Sequence, residues 1–139
     1  MLSNRSRRPD HGRWSVRHDA VRALRTNYSS IIKTLNILKN DDEQIPDIRA
    51  DAKDIMKKCY ALENVIMCHM WCDILERIDK VNKLLQSEGL VLKTVSESFV
   101  SLVAYINVIR NEFDSYEAAA IETLNSMATT TDGQEHLYA

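Results

Sequence analysis

Cys68, His69 and Cys72 are the residues whose types and spacing come closest to a metal-binding site. Two cysteines four residues apart share one face of a helix, and His69 lies beside them. Structural zinc, however, takes four tetrahedral ligands that usually come as two separated pairs. The third cysteine, Cys59, precedes Cys68 by nine residues and would lie on the opposite side of a straight helix. We therefore predict no metal site and interpret these residues as small side chains of the core.

The sequence also lacks the common catalytic patterns. It contains no G-x-S-x-G, no glycine-rich phosphate loop and no H-E-x-x-H motif, and it has only three glycines. The acidic cluster at 41–43 offers oxygen ligands to magnesium, but it falls in an expected helix–helix turn, so we interpret it as a solvated loop. These observations predict a chain that is not an enzyme and has no cofactor, metal or small-molecule ligand. Three cysteines within helical sequence argue against a disulfide framework and favour an intracellular, reducing compartment.

Arginine is concentrated in the first 25 residues. That segment carries seven arginines and two aspartates, a net charge of +5, whereas the remaining residues carry −7 of the total of −2. A guanidinium group binds phosphate through a planar fork and stacks on flat rings. One interpretation is a solvated, flexible arm; the other is an arm that contacts a polyanion.

Trp14 stands beside Arg13 and three residues before Arg17, at the entry to the first predicted helix. One interpretation is a hydrophobic staple, in which Trp14 precedes the helix and packs back on it. The functional interpretation is that Trp14 stacks on an unpaired base while Arg13 and Arg17 bind phosphates. Stacking of this kind contributes roughly 1–3 kcal/mol per base.

Helices must position these residues, because proline and glycine are nearly absent from the middle of the chain. Between Ser15 and Met127 the only such residues are Pro46 and Gly89. Apolar residues follow one another at steps of three or four in all three stretches that these residues separate. The pattern predicts an all-α fold, an antiparallel bundle of three to four long helices with disordered termini.

The predicted helical domain covers residues 13–128. Its helices are expected at about 15–39, at 47–87 and at 92–128, between a disordered basic lead at 1–12 and a disordered tail at 129–139. A single helix over 47–87 would be about 60 Å long, so we expect a kink or break near 58–61. The segment Val65–Cys72 is apolar on nearly all sides and is predicted to lie at the centre of the core.

The last predicted helix carries a heptad-like pattern that suits bundle packing or the docking of a partner helix. Its apolar positions are Leu92, Val95, Phe99, Leu102, Ile106, Ile109, Phe113, Tyr116 and Ala120. The longest uncharged run of the chain, Ser98–Ile109, is too short to span a bilayer, so no membrane contact is predicted. This pattern supports an alternative function as a module for protein–protein interaction or self-association.

A family resemblance begins at the tryptophan. The run Gly12-Arg13-Trp14-Ser15-Val16-Arg17-His18-Asp19-Ala20 resembles the T-R-W-x-x-R-x-x-A stretch of hAT-superfamily transposases and their zinc-finger MYM-type relatives, with Gly12 in place of threonine. The segments Ile74–Arg77 and Asn82–Gln86 are similar too, and Ile109–Phe113 is like the L-R-x-x-F run of these proteins. The likeness covers most of residues 12–117.

The resemblance implies a helical insertion taken from an RNase H-like catalytic domain. In the family, the tryptophan of this element acts on a flipped base at the transposon end, which implies that role for Trp14 and a supporting role for Arg13. The family's catalytic acids lie before and after the insertion, so no catalytic residue is transferred. We therefore expect a non-catalytic, nuclear domain that contacts DNA through Arg13, Trp14 and Arg17. A fragment of a longer protein without retained function is a further alternative.

Overall fold

A computed structural model describes residues 13–135 of the chain, with side chains up to residue 129. Every regular element in this range is an α-helix, so the prediction of an all-α chain is confirmed there. The helices are α1 (Arg13–Thr26), α2 (Tyr28–Asn40), α3 (Pro46–Cys59), α4 (Leu62–Leu85), α5 (Leu92–Asn111) and α6 (Phe113–Glu135). The predicted basic lead at 1–12 and the last four residues, 136–139, lie outside the described residues.

Six helices occupy the described residues where three to four were predicted, because each long segment is divided. The first segment, expected at about 15–39, is interrupted at Asn27. There the backbone departs from helical angles, with a φ of −109° and a ψ of 21°. The backbone N–H and the side-chain amide of Asn27 both donate to the carbonyl of Ala23, at 3.0 and 2.9 Å. The second segment is divided at Tyr60 and Ala61, inside the interval where its length predicted a kink.

The third segment differs most from the expectation of one helix at 92–128. It is interrupted at Glu112, where the backbone turns more tightly and the N–H bonds to the carbonyl of Ile109 at 3.0 Å. Beyond that turn, α6 continues to Glu135, so residues 129–135 are helical rather than disordered as predicted. The hydroxyl of Thr129 supports this extension by donating to the carbonyl of Ser126 at 3.0 Å.

The core is built around α4, which packs against α1, α5 and α6, while α2 pairs with α3. The buried cluster consists of Tyr28, Ile32, Val65, Ile66, Cys68, Ile109, Tyr116, Ala120 and Met127. The segment 65–72 contributes to the core as predicted, through Val65, Ile66 and Cys68, but it is not buried on all sides. Met67 and Trp71 are 43% and 41% exposed, so one face of this helix reaches solvent.

Candidate nucleic-acid interface

The structure brings two of the three predicted contact residues together at the start of α1. Trp14 and Arg17 are three residues apart and therefore neighbours on the helix surface. The guanidinium carbon of Arg17 lies 5.5 Å from the centroid of the Trp14 ring, which is within the range of a cation–π contact. Arg13, the first residue of α1, is exposed, as is Arg17.

Trp14 lies inside the helix and not before it. A hydrophobic staple uses the residue that precedes the N-cap, whereas Trp14 is the second residue of α1. The staple interpretation is therefore wrong. The side chain is 40% exposed, so part of the ring is open to solvent and part is covered by the protein, with Arg17 over one face.

Of the two remaining described arginines of α1, one connects the helix to α4 and the other forms an exposed pair within the helix. Arg25 donates a hydrogen bond from Nη1 to Oδ1 of Asp73 on α4 at 2.8 Å. Arg22 forms a longer ion pair of 3.8 Å with Asp19. Positive charge at the surface of α1 is therefore best placed for a ligand in its first two turns. The arginines at positions 5, 7 and 8 lie outside the described residues.

Apolar packing fixes the same helix from the inside. His18 is buried, and Val21 and Leu24 pack against the core cluster. These residues follow one another at steps of three, which places them on the face of α1 that contacts α4. The exposed pair of Trp14 and Arg17 is thus carried by a rigid element of the domain.

Asp73 connects three helices through one carboxylate. Besides Arg25 on α1, it accepts a hydrogen bond at Oδ2 from the hydroxyl of Tyr116 on α6 at 2.9 Å. Burial and the bond to Asp73 raise the pKa of Tyr116. Burial alone would lower the pKa of Arg25, but its bonds to Cys72 and Asp73 raise it. Both groups therefore stay protonated at neutral pH and serve the fold, not acid–base chemistry.

His69 belongs to the same interior. Its Nε2 lies 3.0 Å from Oγ1 of Thr123, and the Thr123 hydroxyl already donates to the carbonyl of Ala119 at 2.9 Å. Since that hydroxyl has a single proton, Nε2 must be the donor to Thr123. Burial and the nearby charge of Arg25 lower the pKa of His69, against a smaller effect of Asp73. The ring is therefore neutral and oriented by α6.

The cysteines lie in the core and do not surround a common centre. Cys68 and Cys72 are buried in α4, and burial, followed by the proximity of Cys72, raises the pKa of Cys68. Cys59 ends α3, before the break that separates α3 from α4, and packs against the cluster that contains Cys68. Over residues 13–129, no group of three or more histidine, cysteine or acidic side chains is arranged to hold a metal ion.

The acidic turn at 41–43 uses its carboxylates locally. Asp41 accepts hydrogen bonds from the N–H of Glu43 at 3.0 Å and from the side chain of Gln44 at 3.1 Å. Asp42 pairs with Arg49 of α3 at 3.0 Å. The cluster thus closes the connection between α2 and α3.

Sequence reasoning missed Asp73 and Tyr116, the residues that tie the interface helix to the core. They are 43 positions apart, and no local motif links them.

Sequence reasoning also missed the exposure of α5. Among the described helices, α5 alone is long and apolar enough to cross a membrane by length and composition, a test that core helices of soluble proteins also pass. Only 6% of the tested window is buried.

The comparisons with known proteins add no relative. No protein-family model matches the sequence, and neither a curated protein nor a solved structure matches the chain. The hAT-like residues around Arg13 and Trp14 therefore remain the basis of the functional prediction, together with the geometry of α1.

Proposed function

We propose that this chain is a non-catalytic, transposase-derived helical domain that contacts DNA in the nucleus through Arg13, Trp14 and Arg17. One observation supports the proposal most. Trp14 and Arg17 form an exposed cation–π pair, 5.5 Å from guanidinium carbon to ring centroid, on a helix that packs against the core. The adjacent Arg13 is exposed at the same end of the helix.

In this proposal the flat ring of Trp14 stacks on an unpaired or extruded base. When the base binds, the guanidinium group of Arg17 moves from the Trp14 ring to a phosphate. The base then replaces the guanidinium group as the flat partner of the ring. Arg13 binds a neighbouring phosphate, and the positive end of the α1 dipole favours the same negative charge. The acidic remainder of the chain, at −7, restricts DNA contact to this end.

The proposed fold behind the interface is an antiparallel bundle. The order of contacts between α4 and α6 supports it. Asp73 contacts Tyr116, whereas His69, which comes earlier in α4, contacts Thr123, which comes later in α6.

The proposal is tested with the chain's two tryptophans, which are almost equally exposed. Trp14 is 40% exposed and Trp71, far along the chain on α4, is 41% exposed. Fluorescence anisotropy would measure binding to a labelled duplex with one unpaired base and to the same duplex fully paired. Trp14→Ala should weaken binding to the unpaired-base duplex by about 10-fold, the loss of one stacked base.

The matched variant Trp71→Ala should bind both duplexes as the native chain does. Binding should also fall steeply with salt, and Arg13→Gln and Arg17→Gln should each reduce the salt slope by about one. If Trp14→Ala and Trp71→Ala bind the unpaired-base duplex equally well, the stacking role is wrong.

A further inference from the structure

Each heptad of α5 has two apolar positions, and one faces the interior while the other faces solvent. The later position of each heptad faces the domain at Val95, Leu102 and Ile109, and Ile109 is only 4% exposed. The earlier position is exposed at Leu92, Phe99 and Ile106, and Phe113 continues the same spacing at the start of α6 with its side chain exposed. Half of an apolar seam is therefore used within the chain, and half is unpartnered.

The unpartnered half is large and nearly free of charge. Val100 and Val103 extend this exposed face. Its apolar side chains are Leu92, Phe99, Val100, Val103, Ile106 and Phe113. Together they expose on the order of 700 Å², against about 800 Å² per partner in a stable dimer. Charged residues of α5 lie only at its ends, with Lys93 and Glu97 in the first turns and Arg110 in the last.

We propose that this face of α5 binds the same face of a second copy of the chain, with the two α5 helices antiparallel. Such a pairing is isologous, so each contact occurs twice about a two-fold axis. Even spacing of the apolar positions brings Phe99 of one copy against Ile106 of the partner subunit, and Leu92 against Phe113 of the partner subunit. The uncharged middle of the helix then lies at the centre of the interface.

The charges at the ends of α5 select the antiparallel orientation. In a parallel pair, Arg110 would face Arg110 of the partner subunit, which is repulsive. In the antiparallel pair the two Arg110 side chains are roughly 20 Å apart. The helix dipoles also oppose each other favourably in the antiparallel pair. A second copy in this orientation therefore fits the uncharged face without placing like charges against each other.

A lipid surface fits the face less well. Helices that lie on membranes carry lysine and arginine along their polar side. On α5 one of two cations, Lys93, already pairs with Glu97 at 3.8 Å. Self-association goes beyond the proposed DNA contact and involves a different helix, so the two can fail separately.

Sedimentation equilibrium of the full chain tests the dimer from about 5 to about 300 µM, a range that brackets micromolar dissociation constants. The mass should rise from the 16.0 kDa of the monomer toward twice that value. Phe99→Asp and Ile106→Asp should abolish the rise while the circular dichroism spectrum stays helical. Ile37→Asp, at an exposed apolar position on α2 outside this face, should leave the dimer intact.

Removal of the Arg110 charge tests the orientation. Arg110→Ala should leave the antiparallel dimer unchanged, whereas in a parallel pair it would remove the repulsion between the two Arg110 side chains and strengthen association. A native chain that stays monomeric throughout, or a Phe99→Asp variant that dimerises normally, overturns the proposal. So does a monomeric native chain that sediments with phosphatidylcholine vesicles and loses this binding on Phe99→Asp, since a lipid surface would then cover the face.

Discussion

The hydroxyl of Tyr116 on α6 donates a 2.9 Å hydrogen bond to the carboxylate of Asp73 on α4, and the second oxygen of this carboxylate accepts from Arg25 on α1. One acidic side chain therefore joins the helix that carries Trp14 to the two helices behind it. Because Asp73 accepts from both sides, neither partner depends on solvent for its hydrogen bond. The position of the candidate interface is set by this contact as well as by apolar packing.

Removal of the Tyr116 hydroxyl should measure the strength of that connection. We expect Tyr116→Phe to lower the free energy of unfolding by about 1–2 kcal/mol, since a hydrogen bond to a charged group is lost while the ring stays buried. Urea denaturation followed by circular dichroism gives the value. Tyr60→Phe, at an exposed position between α3 and α4, is the matched control and should change stability little. Equal stabilities of the two variants would contradict the role of Asp73.

The pH dependence of stability should report His69. Burial and Arg25 lower the pKa of His69 in the folded chain, whereas the unfolded chain takes up this proton near pH 6.5, to within about a unit. The unfolded state thus binds more protons below that pH, so stability is complete above pH 6.5 and is lost as the pH falls. The free energy of unfolding should therefore decline as the pH falls below about 6.5.

Variants at His69 and Thr123 identify the group responsible. His69→Gln should flatten the decline, because the titrating ring is gone. Thr123→Val removes the acceptor of the His69 N–H, and it should destabilise the fold at pH 7 more than Thr123→Ser, which keeps the hydroxyl. An unaltered slope in His69→Gln would assign the pH dependence to other groups.

Helicity and one helix start were predictable because they depend on local sequence. The apolar steps of three and four predict helices throughout, and α3 begins at Pro46, whose missing N–H costs nothing in a first helical turn. The interruption at Asn27 is a departure of one residue from helical backbone angles, and the N–H of Asn27 still bonds to the carbonyl of Ala23. Nothing in the local sequence marks Glu112 as a break.

The candidate site was predictable in part for the same reason. Trp14 and Arg17 are three residues apart, so a helix alone makes them neighbours. The local sequence does not indicate that Asp73 forms an ion pair with Arg25, because that contact joins residues 48 positions apart. The heptad pattern of α5 also does not predict which of the two apolar positions in each heptad faces the domain. Only the packing of α5 on α4 decides that Ile109 is buried and Ile106 exposed.

Two methionines test whether the end of α6 is part of the core. Met127 is 2% exposed and belongs to the buried cluster, although it lies next to a segment expected to be disordered. Met127→Ala should lower the free energy of unfolding by about 2–5 kcal/mol through lost packing and a cavity. Met67→Ala, at a residue that is 43% exposed on α4, should cost clearly less. Urea denaturation of both variants provides the comparison, and similar losses would place Met127 at a frayed end.

Gly89 controls the connection that leads into α5. Its backbone has a φ of +76°, in the region that side chains with a Cβ avoid. An added Cβ would have no other atom within 4 Å, so any cost of a substitution comes from the backbone and not from crowding. Gly89→Ala should therefore destabilise the chain by roughly 1–2 kcal/mol.

Asparagine tolerates the left-handed region better than alanine does, so Gly89→Asn should cost less than Gly89→Ala in urea denaturation. Hydrogen exchange should locate the effect, with faster exchange at the start of α5 and unchanged exchange in α1. If Gly89→Ala and Gly89→Asn are as stable as the native chain, this turn relaxes freely and does not hold α5 against α4. The exposed face of α5 would then be presented by a loosely attached helix, and an antiparallel dimer would have to order it at a cost in affinity.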